Sequence, residues 1–575
     1  MIRTRASLLV AAVALVAGST LAACSSGASD GGSAATSAPT TPSTRAAPST
    51  RAGGTTTSNP ASTGYAQCYE APRDGGGGGI DFRDATEDTG LVDPLLGLYG
   101  HAVAAGDVDG DGWTDLFVGN FGDRPDAVYR KRGASGPVPD QLLLGGPDGF
   151  RVDESFPAMR GRTSGATFAD LDGDGDLDLV IARNVNDRTQ VGRTPSVVLR
   201  NDGGRFTDVV ELDDHRGARS IGVLDYDGDG RLDLFLVEDR FTGGSSALYR
   251  NAGDLEFRDV TAAAGLPRDV AGLGVAATDL DGDARPDLFV GGANRMFVNG
   301  DGGQFREVGA DVFRWRTYGE EDDVAGVAAG DVNGDGRTDL VLGQHFNSTL
   351  DEGRRVPVRL YLNEGGEPGR PRFRDVTDAA GLVGLPTKAP HVELVDFDAD
   401  GRLDLLTTAS ADGGARPAVF RNAGAEGDVP RFEAPDGLGS DTYWVTAATG
   451  DFDRDGRLDV FLVDWEPARP SLLLAGDGDA GHWLAVQAGP AGSRGIGARV
   501  DVYRAGGLGD PAARLGWRDI VTGVGFGGGA VPEARFGLGG ADRVDVRVAP
   551  PGGPPVDLTG VPADRLVGVD GACGR

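Results

Sequence analysis

The sequence predicts an all-β protein in which a seven-bladed β-propeller precedes a small C-terminal β domain. A nine-residue, aspartate-rich signature occurs seven times in the 575 residues, with 52 to 65 residues between successive starts. Short apolar runs typical of strands flank each copy, and the chain contains 95 glycines. A fixed repeat period of this length, combined with strand and turn signals, is typical of a repeat architecture that grows by adding small sheets.

The seven copies follow the pattern Asp-x-Asp-x-Asp-Gly-x-x-Asp, with a few substitutions discussed below. A small, apolar run such as residues 326–330 precedes the signature, and an alternating apolar run such as residues 115–118 follows it. Two further short runs, such as residues 248–251 and 257–261, separate consecutive copies. Each unit therefore predicts four antiparallel strands, which is the size of one propeller blade.

The two ends of the repeat array complement each other. The first unit opens with a single strand-like segment at residues 82–86, and the seventh ends at residues 472–474 without its last strand. If these terminal segments share one sheet, the ring closes and leaves no free sheet edge. A linear β-solenoid is the alternative, but it would require atypical capping repeats at both ends.

The signature predicts calcium-binding loops. Side chains at positions 1, 3, 5 and 9 and the backbone carbonyl at position 7 supply oxygen ligands, which suit a hard cation. We expect up to seven structural Ca²⁺ ions. The predicted ligands are Asp107, Asp109, Asp111, Trp113 and Asp115; Asp170, Asp172, Asp174, Asp176 and Asp178; Asp225, Asp227, Asp229, Arg231 and Asp233; Asp279, Asp281, Asp283, Arg285 and Asp287; Asp331, Asn333, Asp335, Arg337 and Asp339; Asp396, Asp398, Asp400, Arg402 and Asp404; and Asp451, Asp453, Asp455, Arg457 and Asp459.

The residue at position 6 of each loop is expected to adopt a positive φ. Glycine occupies it in six loops, and Ala284 occupies it in the fourth. The loop with Ala284 and the loop with the neutral ligand Asn333 are expected to bind calcium most weakly. No loop has the glutamate at position 12 that an EF-hand requires, so a strand-loop-strand site is predicted. The alternative is that the signatures are Asp-Gly turns that only close hairpins.

The N-terminus predicts export and lipid anchoring. A positively charged start, an apolar stretch at residues 8–17 and the segment Leu-Ala-Ala-Cys ending at Cys24 resemble a bacterial lipoprotein signal, in which the cysteine is acylated. An ordinary secretory signal is the alternative. The predicted divisions are a signal peptide at 1–23, a disordered Ser/Thr/Ala/Pro-rich tether at 24–66, the propeller at 67–478 and the C-terminal domain at 479–575.

Cys68 and Cys573 are the two cysteines outside the predicted lipidation site. Because an exported chain permits disulfides, we hypothesise that they are bonded and join the two ends of the folded part. The alternative is a pair of free surface thiols. The net charge of −32 argues against a nucleic-acid partner, which requires a basic surface.

The repeat units resemble FG-GAP and VCBS repeats, as found in the integrin α-chain propeller, over roughly residues 80–475. Residues 482–486, 495–500, 535–539 and 544–548 look like an ASPIC/UnbV domain. This combination resembles the cartilage acidic protein family. The resemblance implies extracellular binding or adhesion rather than a known reaction, while the lipobox and tether depart from it and imply attachment to the cell.

Catalytic signatures are weak in this sequence. The five histidines show no metal-ligand spacing, and there is no G-x-S-x-G nucleophile motif. We therefore predict a non-enzymatic protein, with a polysaccharide hydrolase or lyase as the alternative; a carboxylate pair could lie among Glu320, Glu321, Asp322 and Asp323. The predicted partner is an extracellular protein or glycan, bound by the insertions Asn120–Asp140, Asn184–Pro195 and Arg314–Asp323. A scaffold for another envelope protein is a third hypothesis.

Overall fold

The computed structural model describes residues 64–73, 79–122, 124–185, 194–212, 217–317, 323–345, 355–411, 416–489, 495–569 and 573. The predicted signal peptide, Cys24 and the tether up to residue 63 lie outside these residues. So do residues 123, 186–193 and 318–322 of the predicted binding insertions, which include Glu320, Glu321 and Asp322. Within the described part of the chain, no helix is long and apolar enough to cross a membrane.

The regular secondary structure of the described residues is almost entirely β-strand. Each signature lies between the first two strands of a four-stranded antiparallel unit, as the alternation of apolar runs predicts. The first three units contain β3 Gly100–Gly106, β4 Asp115–Asn120, β5 Gln141–Leu144 and β6 Arg151–Val152; β7 Thr163–Ala169, β8 Asp178–Arg183, β9 Val197–Asn201 and β10 Phe206–Glu211; and β11 Ala218–Leu224, β12 Asp233–Glu238, β13 Ala247–Asn251 and β14 Phe257–Asp259. The next three contain β15 Gly274–Thr278, β16 Asp287–Gly291, β17 Arg295–Gly300 and β18 Gln304–Glu307; β19 Val324–Gly330, β20 Asp339–Gln344, β21 Arg359–Glu367 and β22 Arg370–Asp375; and β23 Val392–Val395, β24 Asp404–Ala411, β25 Pro417–Glu426 and β26 Val429–Glu433.

The last unit combines both ends of the repeat array. It contains β27 Leu438–Gly450, β28 Asp459–Asp464 and β29 Leu472–Gly476, and its fourth strand is β2 Phe82–Asp84. Strand β2 pairs antiparallel with β29, with Phe82 opposite Gly476. The predicted sharing of one sheet by the terminal segments is therefore confirmed. This unit also joins the preceding one, because β24 pairs with β27 at Ala411 and Leu438.

The first strands of successive units lie against one another. Strand β3 contacts β7, which contacts β11, and the series continues through β15, β19 and β23; β27 contacts β3. Apolar side chains fill the spaces between neighbouring sheets. Phe117 of the first unit and Phe168 of the second belong to one buried cluster, and Phe235 and Phe297 of the third and fourth belong to another. Burial of this apolar area is the main stabilising term for such packing.

Two further four-stranded sheets follow the repeats. One has the order β1-β38-β30-β35 and the other the order β32-β31-β36-β37. Their strands are β1 Tyr65–Glu70, β30 His482–Ala488, β31 Arg499–Arg504, β32 Arg514–Asp519, β35 Ala534–Gly539, β36 Arg543–Ala549, β37 Val556–Pro562 and β38 Arg565–Val569. The short helices α1 Val92–Leu95 and α2 Asp126–Lys131 and the 3₁₀ turns Arg240–Thr242 and Pro511–Ala513 complete the elements of the described residues, apart from one hairpin described below.

Strand β1 differs from the sequence-based division of the chain. The prediction placed residues 67 onward with the repeats, but Tyr65–Glu70 pairs antiparallel with Arg565–Val569 in the C-terminal domain. A disulfide joins Cys68 of this strand to Cys573, which is the predicted pair. The predicted boundary at residue 67 is wrong because the sequence of a six-residue strand does not show which distant sheet the strand completes.

A glycine-rich hairpin of the C-terminal domain inserts among the first strands of the repeat units. It consists of β33 Gly523–Val524 and β34 Gly528–Gly529, and β34 runs parallel to β3, with Val103 opposite Gly528. At the turn, the Phe526 N–H donates to His391 Nδ1 at 3.2 Å, and Gly525 forms a bridge with Val327. The domain therefore shares hydrogen bonds with several repeat units instead of only following them.

Candidate metal centres

The aspartate at position 1 organises each loop through one hydrogen bond. In all seven loops its Oδ2 accepts the backbone N–H of position 6; for example, Gly112 N lies 3.0 Å from Asp107 Oδ2, and Ala284 N lies 2.8 Å from Asp279 Oδ2. Position 6 has a positive φ throughout, from +67° at Ala284 to +97° at Gly175 and Gly401. The predicted turn geometry is confirmed. Ala284 adopts it with a β-carbon present, which costs free energy relative to glycine.

Carboxylate oxygens converge inside the loops. In at least four loops one oxygen from each of positions 1, 3 and 9 lies within 4.8 Å of the others, and in the third loop the converging set comes from positions 1, 3 and 5. The spacing of the signature therefore places hard oxygen donors around a common point. The four sets are Asp107, Asp109 and Asp115; Asp170, Asp172 and Asp178; Asp279, Asp281 and Asp287; and Asp396, Asp398 and Asp404; the fifth is Asp225, Asp227 and Asp229.

The aspartate at position 9 is a predicted calcium ligand, but it also accepts hydrogen bonds from the backbone. Both oxygens of Asp233 accept backbone N–H groups, from Tyr226 at 3.1 Å and from Asn251 at 2.8 Å. The same two bonds occur at the other six position-9 residues, and all seven are at most 1 % exposed. Position 9 therefore fixes the loop to the third strand of its own unit.

Burial strongly disfavours the charged form of these carboxylates when no cation neutralises them. Desolvation, with nearby loop aspartates as a further cause, raises the pKa of Asp115 and Asp404 to about 8 and the pKa of Asp178 to about 7. It also raises the pKa values of Asp287 and Asp459 well above the usual range. A divalent ion in the cluster would favour ionisation.

Some buried loop oxygens have no hydrogen-bond partner among the described residues. Asp398 is 1 % exposed, and its Oδ2 accepts from Arg421 Nε at 2.7 Å, but its Oδ1 has no partner. Asp451 Oδ1 likewise has no hydrogen-bond partner among the described residues. An unpaired buried carboxylate oxygen is costly. The donor set and these oxygens therefore fit a hard divalent cation such as Ca²⁺.

Arginine side chains supply an electrostatic contribution that the sequence analysis did not predict. At position 7, Arg231 Nε donates to the Asn251 carbonyl at 2.9 Å, and its guanidinium pairs with Asp229. On the third strand, Arg250 Nε donates to Asp227 Oδ2 at 2.7 Å. These arginines neutralise part of the loop charge. They do not contradict the predicted role of position 7, because that role uses only the backbone carbonyl.

A recurrent buried asparagine connects neighbouring units, and the sequence analysis missed it. Asn251 Nδ2 donates to the Leu171 carbonyl of the preceding unit's loop at 2.6 Å and to the Leu232 carbonyl of its own loop at 3.1 Å. The sequence carries a signal for it, since an asparagine lies in the third strand of five units. These residues are Asn201, Asn251, Asn299, Asn363 and Asn422, and each donates to the preceding loop.

We expect Asn251→Ala to lower the free energy of unfolding by about 3 kcal/mol, because two buried carbonyls lose their donor. Asn251 is fully buried, so water cannot replace the amide without opening the contact between units. Urea unfolding followed by tryptophan fluorescence measures the effect. The control is Gln304→Ala, which removes an exposed amide that donates to the Ala263 carbonyl at 3.1 Å, and it should cost less than about 0.5 kcal/mol. Equal effects of the two variants would contradict the role of Asn251.

The C-terminal domain contacts the position-1 aspartates of the last three loops. Trp517 Nε1 donates to Asp331 Oδ2 at 3.0 Å, and the Gly537 N–H donates to Asp396 Oδ2 at 3.0 Å. Asp451 Oδ2 accepts from the Tyr69 hydroxyl at 2.6 Å. The domain therefore covers this part of the loop face, which nothing in the signature itself indicates.

The predicted binding insertions leave the opposite ends of the strands. Within Asn120–Asp140, the Asn120 N–H donates to Asp140 Oδ1 at 2.7 Å, and Asp140 pairs with buried Arg183 at 3.0 Å. The two ends of this insertion are thus joined by a buried hydrogen bond. At Arg314–Asp323, Asp323 pairs with Arg240 at 2.8 Å. Asp323 is only 3 % exposed, so the structure gives it a buried ion-pair role within the described residues.

Comparisons with known proteins agree with the repeat pattern. An FG-GAP-like repeat matches residues 107–181, 170–236, 225–290 and 396–462, and an FG-GAP repeat matches residues 324–354. Cartilage acidic protein 1 of Mus musculus is 28% identical over 488 residues, covering 79% of this chain and 70% of the mouse protein. The Homo sapiens protein is also 28% identical over 488 residues, covering 79% of this chain and 69% of its own length.

Similarity to solved structures is remote. BBS1N in complex with ARL6DN has a TM-score of 0.40 and 10% identity, covering 69% of this chain and 97% of the other. The Bacillus licheniformis rhamnogalacturonan lyase PL11 has a TM-score of 0.36 and 14% identity, covering 65% and 71%. Scores this low carry no argument about fold or function. The sequence relatives are named as cartilage acidic protein and not as enzymes. The chain is therefore an all-β FG-GAP repeat protein related to cartilage acidic protein 1.

Proposed function

We propose that the protein is a calcium-stabilised binding module that acts outside the cytoplasm and recognises an extracellular protein or glycan. Its repeats form a seven-bladed β-propeller whose loops hold structural Ca²⁺. The observation that carries the proposal is the convergence of carboxylate oxygens in equivalent loops, with a buried and unpartnered Asp398 Oδ1 in one of them. A ligand bound only by the native state stabilises that state, so such ions would stabilise the folded scaffold.

Three observations support the propeller. The repeat units have equivalent four-stranded sheets, and the first strands of successive units lie side by side. Strand β2 completes the last unit, so the array is closed by pairing between its two ends. A closed array leaves only short edges, which agrees with a folded domain of separate small sheets.

The loop insertions that the repeat units present favour binding over catalysis. Insertions such as residues 120–140 emerge from rigid strands, and recognition usually resides on loops held in this way. The sequence relatives are named cartilage acidic protein 1 and not as enzymes. The acidic chain disfavours nucleic acid. Lipid attachment at Cys24 through the lipoprotein-like signal, and a tether of residues 24–66, would hold the module at the cell membrane, facing outward.

The test is capture of defined envelope polysaccharides and envelope proteins by the full chain, with calcium and with a chelator. Calcium-dependent retention of an intact ligand is the expected result. The same incubations are assayed for new reducing ends and for unsaturated sugar products. Cleavage of a retained polysaccharide would replace the proposal with the hydrolase or lyase alternative, and retention of nothing in either condition would contradict a binding function.

A further inference from the structure

A pocket of about 320 Å³ lies at the strand ends opposite to the aspartate loops. Most of its lining residues stand at the start of first strands, such as His101 in β3, or just after second strands, such as Trp465 after β28. Because each loop joins the other ends of these same two strands, the pocket and the loops lie on opposite faces. The inserted hairpin contributes Phe526, which is 2 % exposed. A volume of this size lies at the lower end of small-ligand sites.

The three arginines that line the pocket already have partners within the protein. Arg219 Nε and Nη2 both contact Asp239 Oδ2, at 2.7 Å and 2.6 Å. Arg124 donates to the Phe121 carbonyl, and Arg162 lies 4.1 Å from the centre of the Phe121 ring and has further contacts. These guanidinium groups therefore stabilise the fold, and they do not account for what the pocket binds.

Lys388 differs from these arginines because its amine has no partner. It lines the pocket, and among the described residues it has neither a hydrogen bond nor an ion pair within 4.0 Å. Asp323, whose charge acts on the amine, pairs instead with Arg240 Nη1 at 2.8 Å. Burial lowers the pKa of the Lys388 amine, and Asp323 opposes only part of this change. Near neutral pH, more of this amine is therefore in the neutral, nucleophilic form than at an ordinary exposed lysine.

Lysine is rare in this chain. Lys131 and Lys388 are the two lysines among 55 lysine and arginine residues. Lys131 is an exposed residue at the end of α2. A guanidinium stays protonated at physiological pH, whereas a lysine that loses its proton becomes a nucleophile. The pocket therefore contains the one type of basic side chain that can react with a carbonyl group, in a chain whose positive charges are otherwise almost all arginine.

The backbone on both sides of Lys388 is fixed to the neighbouring repeat unit. The Ala389 N–H donates to the Gln344 carbonyl at 3.1 Å, and the side-chain amide of Gln344 donates to the Thr387 carbonyl. Gln344 is fully buried at the end of β20. The scaffold thus sets the position of the lysine, so a carbonyl group held in the pocket would meet a positioned amine.

We infer that Lys388 forms an imine with the aldehyde group of a reducing sugar that occupies this pocket. The nitrogen lone pair attacks the carbonyl carbon, and the π electrons of the C=O bond move to the oxygen. The two amine protons leave with that oxygen as water, and a C=N bond remains, so no oxidant or other reactant is consumed. Trp465 and Phe241, which is 42 % exposed, offer apolar surface to the C–H groups of a sugar. The inference rests on the proposed function, because it names the sugar chemistry that the binding module recognises.

Trapping of the imine tests the inference on the parent chain. The full, calcium-loaded chain is incubated near neutral pH with cyanoborohydride and a mixture of glucose, galactose and mannose, with the corresponding alditols, or with glycolaldehyde. The reductant converts an imine into a stable amine adduct, which peptide mass spectrometry locates. We expect the hexoses to modify Lys388 at least about tenfold more than Lys131, although Lys131 is the more exposed lysine. The alditols lack the aldehyde and should leave both lysines unmodified.

Two variants locate the adduct independently. Lys388→Arg keeps a positive charge but cannot form the imine, and Lys131→Arg is the matched control at an exposed site. The total mass of sugar trapped per chain should fall about tenfold in Lys388→Arg and stay at the parent level in Lys131→Arg. Calorimetric melting of each variant shows whether it folds as the parent does, so that an unfolded chain is not taken for a loss of reactivity.

The outcomes separate this inference from the proposed function. Equal modification of the two lysines, preferential modification of Lys131, or an unchanged total in Lys388→Arg would overturn the reactive lysine. Modification of Lys388 by glycolaldehyde but not by the hexoses would replace the sugar with a small free aldehyde. If no adduct forms on Lys388 while the capture experiment retains an intact ligand with calcium, the proposed function stands and only this inference fails.

Discussion

Removal of calcium should lower the melting temperature of the protein by about 10 °C or more, because several sites each contribute about 2 to 3 kcal/mol at saturating ion. Without the ion, clustered and buried carboxylates either remain charged in a poorly solvated site or take up protons, as the raised pKa values of Asp115 and Asp404 indicate. Differential scanning calorimetry in millimolar calcium and in excess chelator measures the shift. Identical curves in the two conditions would exclude structural calcium.

A single variant links the effect to one loop. Asp398→Asn keeps the shape of a side chain that is 1 % exposed but removes its charge. We expect it to destabilise the calcium-loaded protein by about 2 to 3 kcal/mol and to have a much smaller effect in chelator, where no ion binding is lost. Asp378→Asn is the control, since this side chain is 69% exposed and pairs with Arg316 outside the loops. Equal losses with and without calcium would assign Asp398 an ordinary structural role.

Calcium loss should also affect the C-terminal domain. Trp517 and Gly537 donate directly to Asp331 and Asp396, which are predicted calcium ligands. Each of these contacts is made to one oxygen of a carboxylate that is also a predicted calcium ligand. A shift of that carboxylate on calcium loss would therefore also shift the contact with the C-terminal domain. The repeat loops and the C-terminal sheets are therefore expected to unfold together rather than as separate transitions.

The local features of the fold were predictable because they are set by residues close together in sequence. The spacing of aspartates and the glycine at position 6 predict the loop backbone, and alternating apolar residues predict the flanking strands. The complementary terminal segments predicted the pairing of β2 with β29. Long-range features were different. Nothing in residues 65–70 indicates pairing with β38, and Arg124 and Lys388, which line the same pocket, are 264 positions apart.

Two missed features had a signal that was not interpreted. An asparagine lies in the third strand of five units, and a repeated buried amide is a strong indication of backbone contacts between units. The segment from residue 523 to residue 529 contains five glycines, but glycine alone does not distinguish a flexible loop from a close approach of two backbones. The structure resolves this ambiguity, since these glycines lie against the first strands of the repeats.

The second large effect is therefore expected from Gly523→Ala. A β-carbon at Gly523 would lie 2.2 Å from the Ile221 carbonyl oxygen, an atom of a central strand that cannot rotate away. The hairpin or strand β11 must shift, and we expect the free energy of unfolding to fall by about 3 kcal/mol. Gly540→Ala is the matched control, because its β-carbon would meet nothing within 4 Å and its backbone does not require glycine, so it should change stability by less than about 0.5 kcal/mol.

Hydrogen exchange distinguishes displacement of the hairpin from general loosening of the fold. The Gly525 N–H donates to the Val327 carbonyl at 3.2 Å and the Gly527 N–H to Ser220 Oγ at 3.3 Å, so both amides should be protected in the parent chain and exposed in Gly523→Ala. Amides of β12 and β13, which pair only within their own unit, should keep their protection. Parent-like stability and protection in Gly523→Ala would mean that the hairpin does not occupy this position. In that case Phe526 would not line the pocket that His101 and Trp465 help to form.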